Sequence, residues 1–314
     1  DHPWRQDEAH FDGTVENNPK PRSWSGEEIL ERLSYFDFGV LSNDADVKKC
    51  NPIPPHDLSY WDHKSIFFEL PYWSKLKLRN NLDAMHIEKN VCDSVVGTIL
   101  GIKFKTKDTP KARKDLESMN LRRPLWLRRD RKGVYNKMPD APYTVKPTLR
   151  RSVFHWFKGV RYPATYAATI TGAVDEVQHK FVGLKTHDYH VMLQRLIPVV
   201  IRPYLPRDVA EPIVALCRWW QRLCARELKK SDVVELQQQI VHIICKLERI
   251  FPPAFFDIMI HLMIHLPEQV LISGPVQYTW MYPQERYVQL INLFHWRLLA
   301  SYLYVHILIV RLIL

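Results

Sequence analysis

Glycine is scarce in this chain, at ten in 314 residues against 22 prolines and ten tryptophans. A Rossmann sheet or a glycine-rich barrel needs tight turns and close backbone approaches that so little glycine does not supply. Neither G-x-G-x-x-G nor a P-loop occurs. The five cysteines (Cys50, Cys92, Cys217, Cys224 and Cys245) are odd in number and contain no C-x-x-C pair. That argues against a disulfide framework or a structural zinc and for a reducing compartment. The opening residues do not read as a secretory leader. It starts on Asp1 and reads as a piece of something longer.

What is present is apolar and basic. Hydrophobic residues make up 46% of the chain, enough to bury a real core and to rule out a disordered polymer. The net charge of +10 points to a polyanion, nucleic acid above all, although a basic solvated surface would carry the same sum.

The richest stretch runs from Tyr72 to Leu100. Asp83 and His86 stand three apart, so one helix face would carry a carboxylate and an imidazole together. Glu88 is less aligned with them. Leu82, Met85, Val91, Val95, Val96 and Ile99 form an apolar stripe that would press on a core, and Gly101 is a natural stop. The plainer alternative is an amphipathic helix with a solvated acid and a capping histidine.

Around it, residues 1–63 read as an irregular, Pro-rich connector, broken by a short helix from Gly26 to Ser34 behind a Ser25/Glu28 capping box. Ser65 to Leu70 is either a strand or a buried apolar turn, and residues 64–102 form a core strand and helix. Residues 103–180 read as a basic linker region, with a helix start at Thr109-Pro110. Within it Arg122, Arg123, Arg128, Arg129, Arg131 and Lys132 alternate with aromatics, a composition that neutralises phosphates and stacks on bases.

Residues 181–270 are almost wholly helical by pattern. His187 to Arg202 is expected to kink at Pro198. Further helices are expected over Pro212 to Leu228, over Asp232 to Ile250 capped by Asp232 and Glu235, and over Pro253 to Leu266. On the last, Asp257, His261 and His265 would share one face, a metal site or a set of satisfied core imidazoles. His187 and His190 pose the same choice. Residues 271–292 turn at Gly274-Pro275 into an acidic helix carrying Glu285, which can hold a divalent cation or complement the helix dipole. Residues 293–314 are a divergent apolar tail, short and poorly flanked as a membrane span.

Four strings of this sequence carry a resemblance: SIFFELPYWSKLKLRNNLDAMHIEKNVCDSVVGTILGIKFKTKD, GLKTHDYHVMLQRLIPVVIRPYLP, LERIFPPAFFDIMIHLMIHL and SGPVQYTWMYPQERYV. They resemble the CACTA (En/Spm-type) transposases of plant DNA transposons. The resemblance implies a mainly α chain, the C-terminal part of an RNase H-like transposase core with a large all-helical insertion and few or no complete sheets. It implies metal-dependent DNA strand cleavage by an Asp-Asp-Glu triad holding Mg2+ or Mn2+ in the parent enzyme. Asp83 and His86 match the family's Asp-x-x-His signature, and Glu285 matches the third acid and metal ligand. The two triad aspartates are expected upstream, so this chain is expected to be catalytically incomplete and to bind no divalent cation tightly. DNA at transposon ends is the implied partner, with self-association or a transposon-encoded protein beside it, in the nucleus. A non-enzymatic DNA- or protein-binding module is the alternative.

Overall fold

The computed structural model describes residues 17–34, 64–163, 169–282 and 287. The architecture is mainly helical, with only two small two-stranded sheets among the described residues. Its contacts divide the chain into two compact units, Asp1–Arg79 and Asn80–Leu314.

In the first unit, helix α1 (Gly26–Ser34) begins where its box predicts. Ser25 Oγ accepts the Glu28 N–H at 3.0 Å, and the Glu28 carboxylate accepts the Ser25 N–H at 2.8 Å. Gly26 is required there, because a Cβ would lie 2.1 Å from the Ser74 carbonyl. Ile66–Glu69 is a 3-10 turn, neither strand nor buried turn. Ser65 caps it through the Phe67 N–H, and Phe67 stacks on Trp73 at 4.6 Å with Ile66 72% exposed. A short apolar run with a capping serine closes a local turn when no second strand lies beside it.

The second unit is organised around α2 (Ala84–Ile99), which ends at Gly101 in the left-handed region at φ +60. Met85, Val91, Val95, Val96 and Ile99 are buried as the stripe requires. Each fully buried aliphatic side chain is worth roughly 1.5 to 3 kcal/mol. Helix α3 (Pro110–Ser118) is capped by Thr109, whose hydroxyl accepts the Ala112 N–H.

The stretch 103–180 proves to be folded. After α3 come the hairpin β1 (Arg128–Arg129) and β2 (Tyr135–Lys137), then α4 (Pro147–Gly159) and α5 (Thr169–Gly172), then a hairpin of β3 (Val174–Asp175) and β4 (Lys180–Phe181). Leu116, Tyr143, Phe154 and Phe157 from this stretch sit in the main core.

The helical half differs from expectation in four places. First, α6 (Thr186–Val191) passes into a π-helical segment, Met192–Leu196, before α7 (Ile197–Val200). Pro198 has no N–H to give, and the hydrogen-bond ladder widens in the turn just before it. Second, α8 is Arg207–Leu223, so Pro212 lies inside it and Pro206 stands at its start. Third, α9 is Lys230–Glu248; Lys229 occupies the cap, and Asp232 lies in the first turn. Asp232 therefore complements the helix dipole instead of capping. Glu235 instead accepts from Arg222 and Gln239.

Fourth, Pro253 to Leu266 is not one helix. A 3-10 turn at Pro253–Phe255 precedes α10 (Ile258–Leu262), and α11 (Leu266–Ser273) restarts around Pro267. Asp257, in extended backbone, caps α10 through the Met259 and Ile260 N–H groups. Proline and a capping acid each start a helix afresh, so they divide an apolar run that periodicity alone reads as continuous. The packing is helix on helix: α8 lies against α9, α9 against α11, and α2 against α6 and α10.

Candidate functional site

Asp83 stands at the N-cap of α2, outside the helix proper. Its Oδ1 accepts the N–H groups of Met85 and His86, and its Oδ2 pairs with His86 Nδ1. The structure thus brings Asp83 and His86 together, by capping geometry instead of by a shared helical face. A pair of hard divalent cations needs several free oxygens. Asp83 offers one carboxylate already spent on two backbone donors and an imidazole, so among the described residues the surroundings of this pair do not fit Mg2+ or Mn2+. Asp83→Ala is expected to cost about 1 kcal/mol of stability, with Asp83→Asn keeping most of it, by urea denaturation.

Glu285, the proposed third acid and metal ligand, lies outside the described residues, as does the tail from residue 288 onward. No described helix is long and apolar enough to cross a membrane. His261 and His265 do meet, Nε2 to Nε2 at 3.2 Å, but Asp257 is held by Lys107 Nζ at 2.9 Å. Asp257 caps the helix that carries His261 and turns its carboxylate to Lys107, so it does not join the two imidazoles.

Glu88 is the residue that sequence reasoning passed over. It is 2% exposed and sits on the apolar face of α2 beside Val91 and Cys92. Its Oε2 meets His190 Nδ1 of α6 at 2.7 Å, and its Oε1 accepts Gln194 Nε2, from the π-helical segment, at 2.8 Å. Gln194 Nε2 also lies 3.5 Å from the Trp220 carbonyl of α8. The ligand atoms of Glu88, His190 and Cys224, the residue that ends α8, all fall within 4.8 Å of one another. Burial, then the Glu88 charge, pushes the Cys224 thiol well above its ordinary value. Cys217 is pushed up for the same reasons. His187 stacks on His190 at 5.9 Å, and burial followed by the His190 charge lowers its pKa. Trp280 meets His190 edge-on at 5.7 Å. The available signal was an acid on a face otherwise made of Ala84, Val91 and Val95.

The basic residues divide into two sets. Arg122 is structural: its backbone is left-handed at φ 48, and its guanidinium donates to the Ile250 and Phe251 carbonyls at 3.2 and 2.6 Å and to that of Glu248. Burial lowers its pKa. Arg123 lies over the Trp126 ring at 5.5 Å. Arg128, Arg129, Arg131 and Lys132 are exposed on the β1–β2 hairpin. Asp130 Oδ1 shapes its turn by accepting the Lys132 and Val134 N–H groups, both at 2.9 Å, and Gly133 supplies φ +78. Among the described residues none of these four makes an ion pair. A second basic surface lines a groove between α8 and α9: Arg202, Arg207, Arg218, Arg222, Lys246 and Arg249 share it with Asp208 and Glu211, with Arg207 paired to Glu211 and Arg222 to Glu235. Its signal was a polar stripe on each helix, 207, 211, 218 and 222 on one and 239, 242, 246 and 249 on the other.

Residues 223–295 match the family model described as a domain of unknown function (DUF4218). That domain is found in plant transposase-like proteins. The match covers α9, α10, α11 and Cys224, well under half of the chain, and includes neither Glu88 nor His190. No curated protein and no solved structure matches the chain.

Proposed function

We propose that this chain is part of a DDE/D-type DNA transposase of the CACTA kind, and that the share of its described residues is to hold DNA. The observation that carries this reading is the β1–β2 hairpin, with exposed cations at 128 and 129 on β1 and at 131 and 132 in the turn fixed by Asp130. The groove between α8 and α9 adds a second run of excess positive charge. Cations held on a rigid turn neutralise phosphates and release condensed counterions, so they grip DNA without reading its sequence. Support for the transposase parentage comes from the four family-like strings and from the domain match at 223–295. Cutting and joining belong, in this reading, to the parent enzyme's Asp-Asp-Glu centre with its Mg2+ or Mn2+, and Glu285 is its third acid. Asp83 and His86 position the start of α2 near that centre. The partner is DNA at transposon ends, in the nucleus, with self-association or a transposon-encoded protein beside it.

A duplex-binding titration across salt tests this. The native chain is expected to lose affinity steeply as salt rises. Replacing Arg128, Arg131 and Lys132 together by Glu is expected to weaken binding at least tenfold and to flatten the salt dependence by about one phosphate contact per residue. A flat salt response in the native chain would sink the proposal and favour a protein partner.

A further inference from the structure

We infer that Glu88, His190 and Cys224 form a binding site for one zinc ion that ties α2, α6 and the end of α8 together. The inference stands apart from DNA binding and uses none of the residues invoked for it.

The donor set is one carboxylate oxygen, one imidazole nitrogen and one sulfur, which suits a borderline cation. Mg2+ and Ca2+ want oxygens alone and would be poorly served by a thiol. Charge agrees with this choice. A dication with one thiolate, one carboxylate and a neutral imidazole sums to zero, the condition for a metal in a largely apolar interior. Three protein ligands leave a fourth tetrahedral position for water. His190 and Cys224 are only partly buried, which gives the ion a way in, whereas Glu88 is sealed at 2% exposure.

The contacts describe the same cluster with a hydrogen bond in the metal's place. Around tetrahedral zinc, neighbouring ligand atoms stand about 3.3 to 3.8 Å apart. Glu88 Oε2 and His190 Nδ1 are closer than that, at 2.7 Å, while the full set spans up to 4.8 Å. Side-chain shifts on the order of 1 Å open the first and close the rest. Binding forms the Zn–S bond and breaks the Cys224 S–H bond, with the proton leaving to water. Affinity is therefore expected to rise with pH. Gln194 is the supporting partner: its amide donates to Glu88 Oε1 and lies near the Trp220 carbonyl, so it holds the carboxylate's orientation whether or not the ion is present. The π-helical widening at Met192–Leu196 places Gln194 in this cluster, and such widenings recur at functional sites.

The cysteine spacing argued against a structural zinc, and no C-x-x-C pair is used here. The ligands come from positions 88, 190 and 224, a separation that a search for linear motifs does not reach.

The test is a Co2+ titration of the chelator-stripped full chain. Expected are one equivalent bound, tetrahedral visible bands and a near-ultraviolet thiolate-to-cobalt charge-transfer band. Zn2+ should displace the cobalt and raise the Tm. Cys224→Ser is expected to lose the charge-transfer band and at least 100-fold in affinity. Cys245→Ser and His261→Ala, which alter other candidate ligands, should keep both. Absence of the charge-transfer band in the native chain, or its survival in Cys224→Ser, overturns the site and leaves a hydrogen-bonded core. The native titration decides even where the variant misfolds.

Discussion

Arg113→Met should lower the stability of the second unit by about 3 to 5 kcal/mol, the cost of stranding one member of a buried ion pair. Arg113 is 1% exposed, and its guanidinium meets both oxygens of Asp108, itself nearly buried. Two further contacts matter more for function. Nη1 donates to the Leu125 carbonyl at 2.8 Å, and Nη2 reaches that of Pro139 at 3.4 Å. Those carbonyls lie just before and just after the β1–β2 hairpin, so one side chain on α3 pins both of its ends. If the hairpin holds DNA as proposed, the same substitution should weaken that binding although Arg113 is only 1% exposed. Pairing Arg113→Met with Asp108→Leu removes the stranded carboxylate. The double variant should recover much of the stability but not the hairpin's anchoring, so urea midpoints and DNA affinity should part company. A double variant as unstable as the single one would show that Asp108 is not the stranded charge.

The second large effect is expected where α8 packs on α9. Trp219→Ala should cost about 3 to 5 kcal/mol, the range for emptying a buried aromatic site. Trp219 is 1% exposed on α8, meets Trp220 edge to face at 5.2 Å, and donates its indole N–H to the Leu236 carbonyl of α9 at 2.9 Å. It is the rivet between the two helices that line the basic groove. Trp219→Phe keeps most of the packing and gives up the hydrogen bond, so it should cost only about 1 to 2 kcal/mol. Thermal or denaturant unfolding of the pair checks this, and equal losses would mean that the bond, not the volume, holds the helices.

Local chemistry in this chain is written in the sequence wherever a side chain acts on its own backbone. The Ser25/Glu28 box, the Thr109 cap, the Gly101 stop and the Gly274 turn all stand where the residues place them. Periodicity located the buried face of α2 for the same reason: an apolar stripe at 3.6-residue spacing has one way to leave water. Residue pattern and structure part where two local rules compete. Asp232, expected as a cap, lies in the first turn because Lys229 supplies the extended residue before α9, whereas Asp257, expected on a helical face, is the residue that caps. Pro212 is a natural helix start by pattern, yet it lies inside α8, which begins after Pro206.

The candidate site was half legible for a related reason. Asp83 and His86 are three residues apart, so an N-cap and the first turn behind it suffice to make them meet. Glu88, His190, Gln194 and Cys224 meet only because α2, α6 and α8 pack together, and no spacing in the chain encodes that distance. The basic stretch shows the same division. Composition announced a cationic segment, but burial sorted it: Arg113 went to the core, Arg122 to three carbonyls, and the four cations of the hairpin to solvent. By itself the sequence determined the helical class, the caps and the excess positive charge, since each follows from neighbours along the chain. Which acid is buried, which arginine is free and which distant donors converge were decided by tertiary packing, because burial and long-range contact are properties of the folded surface.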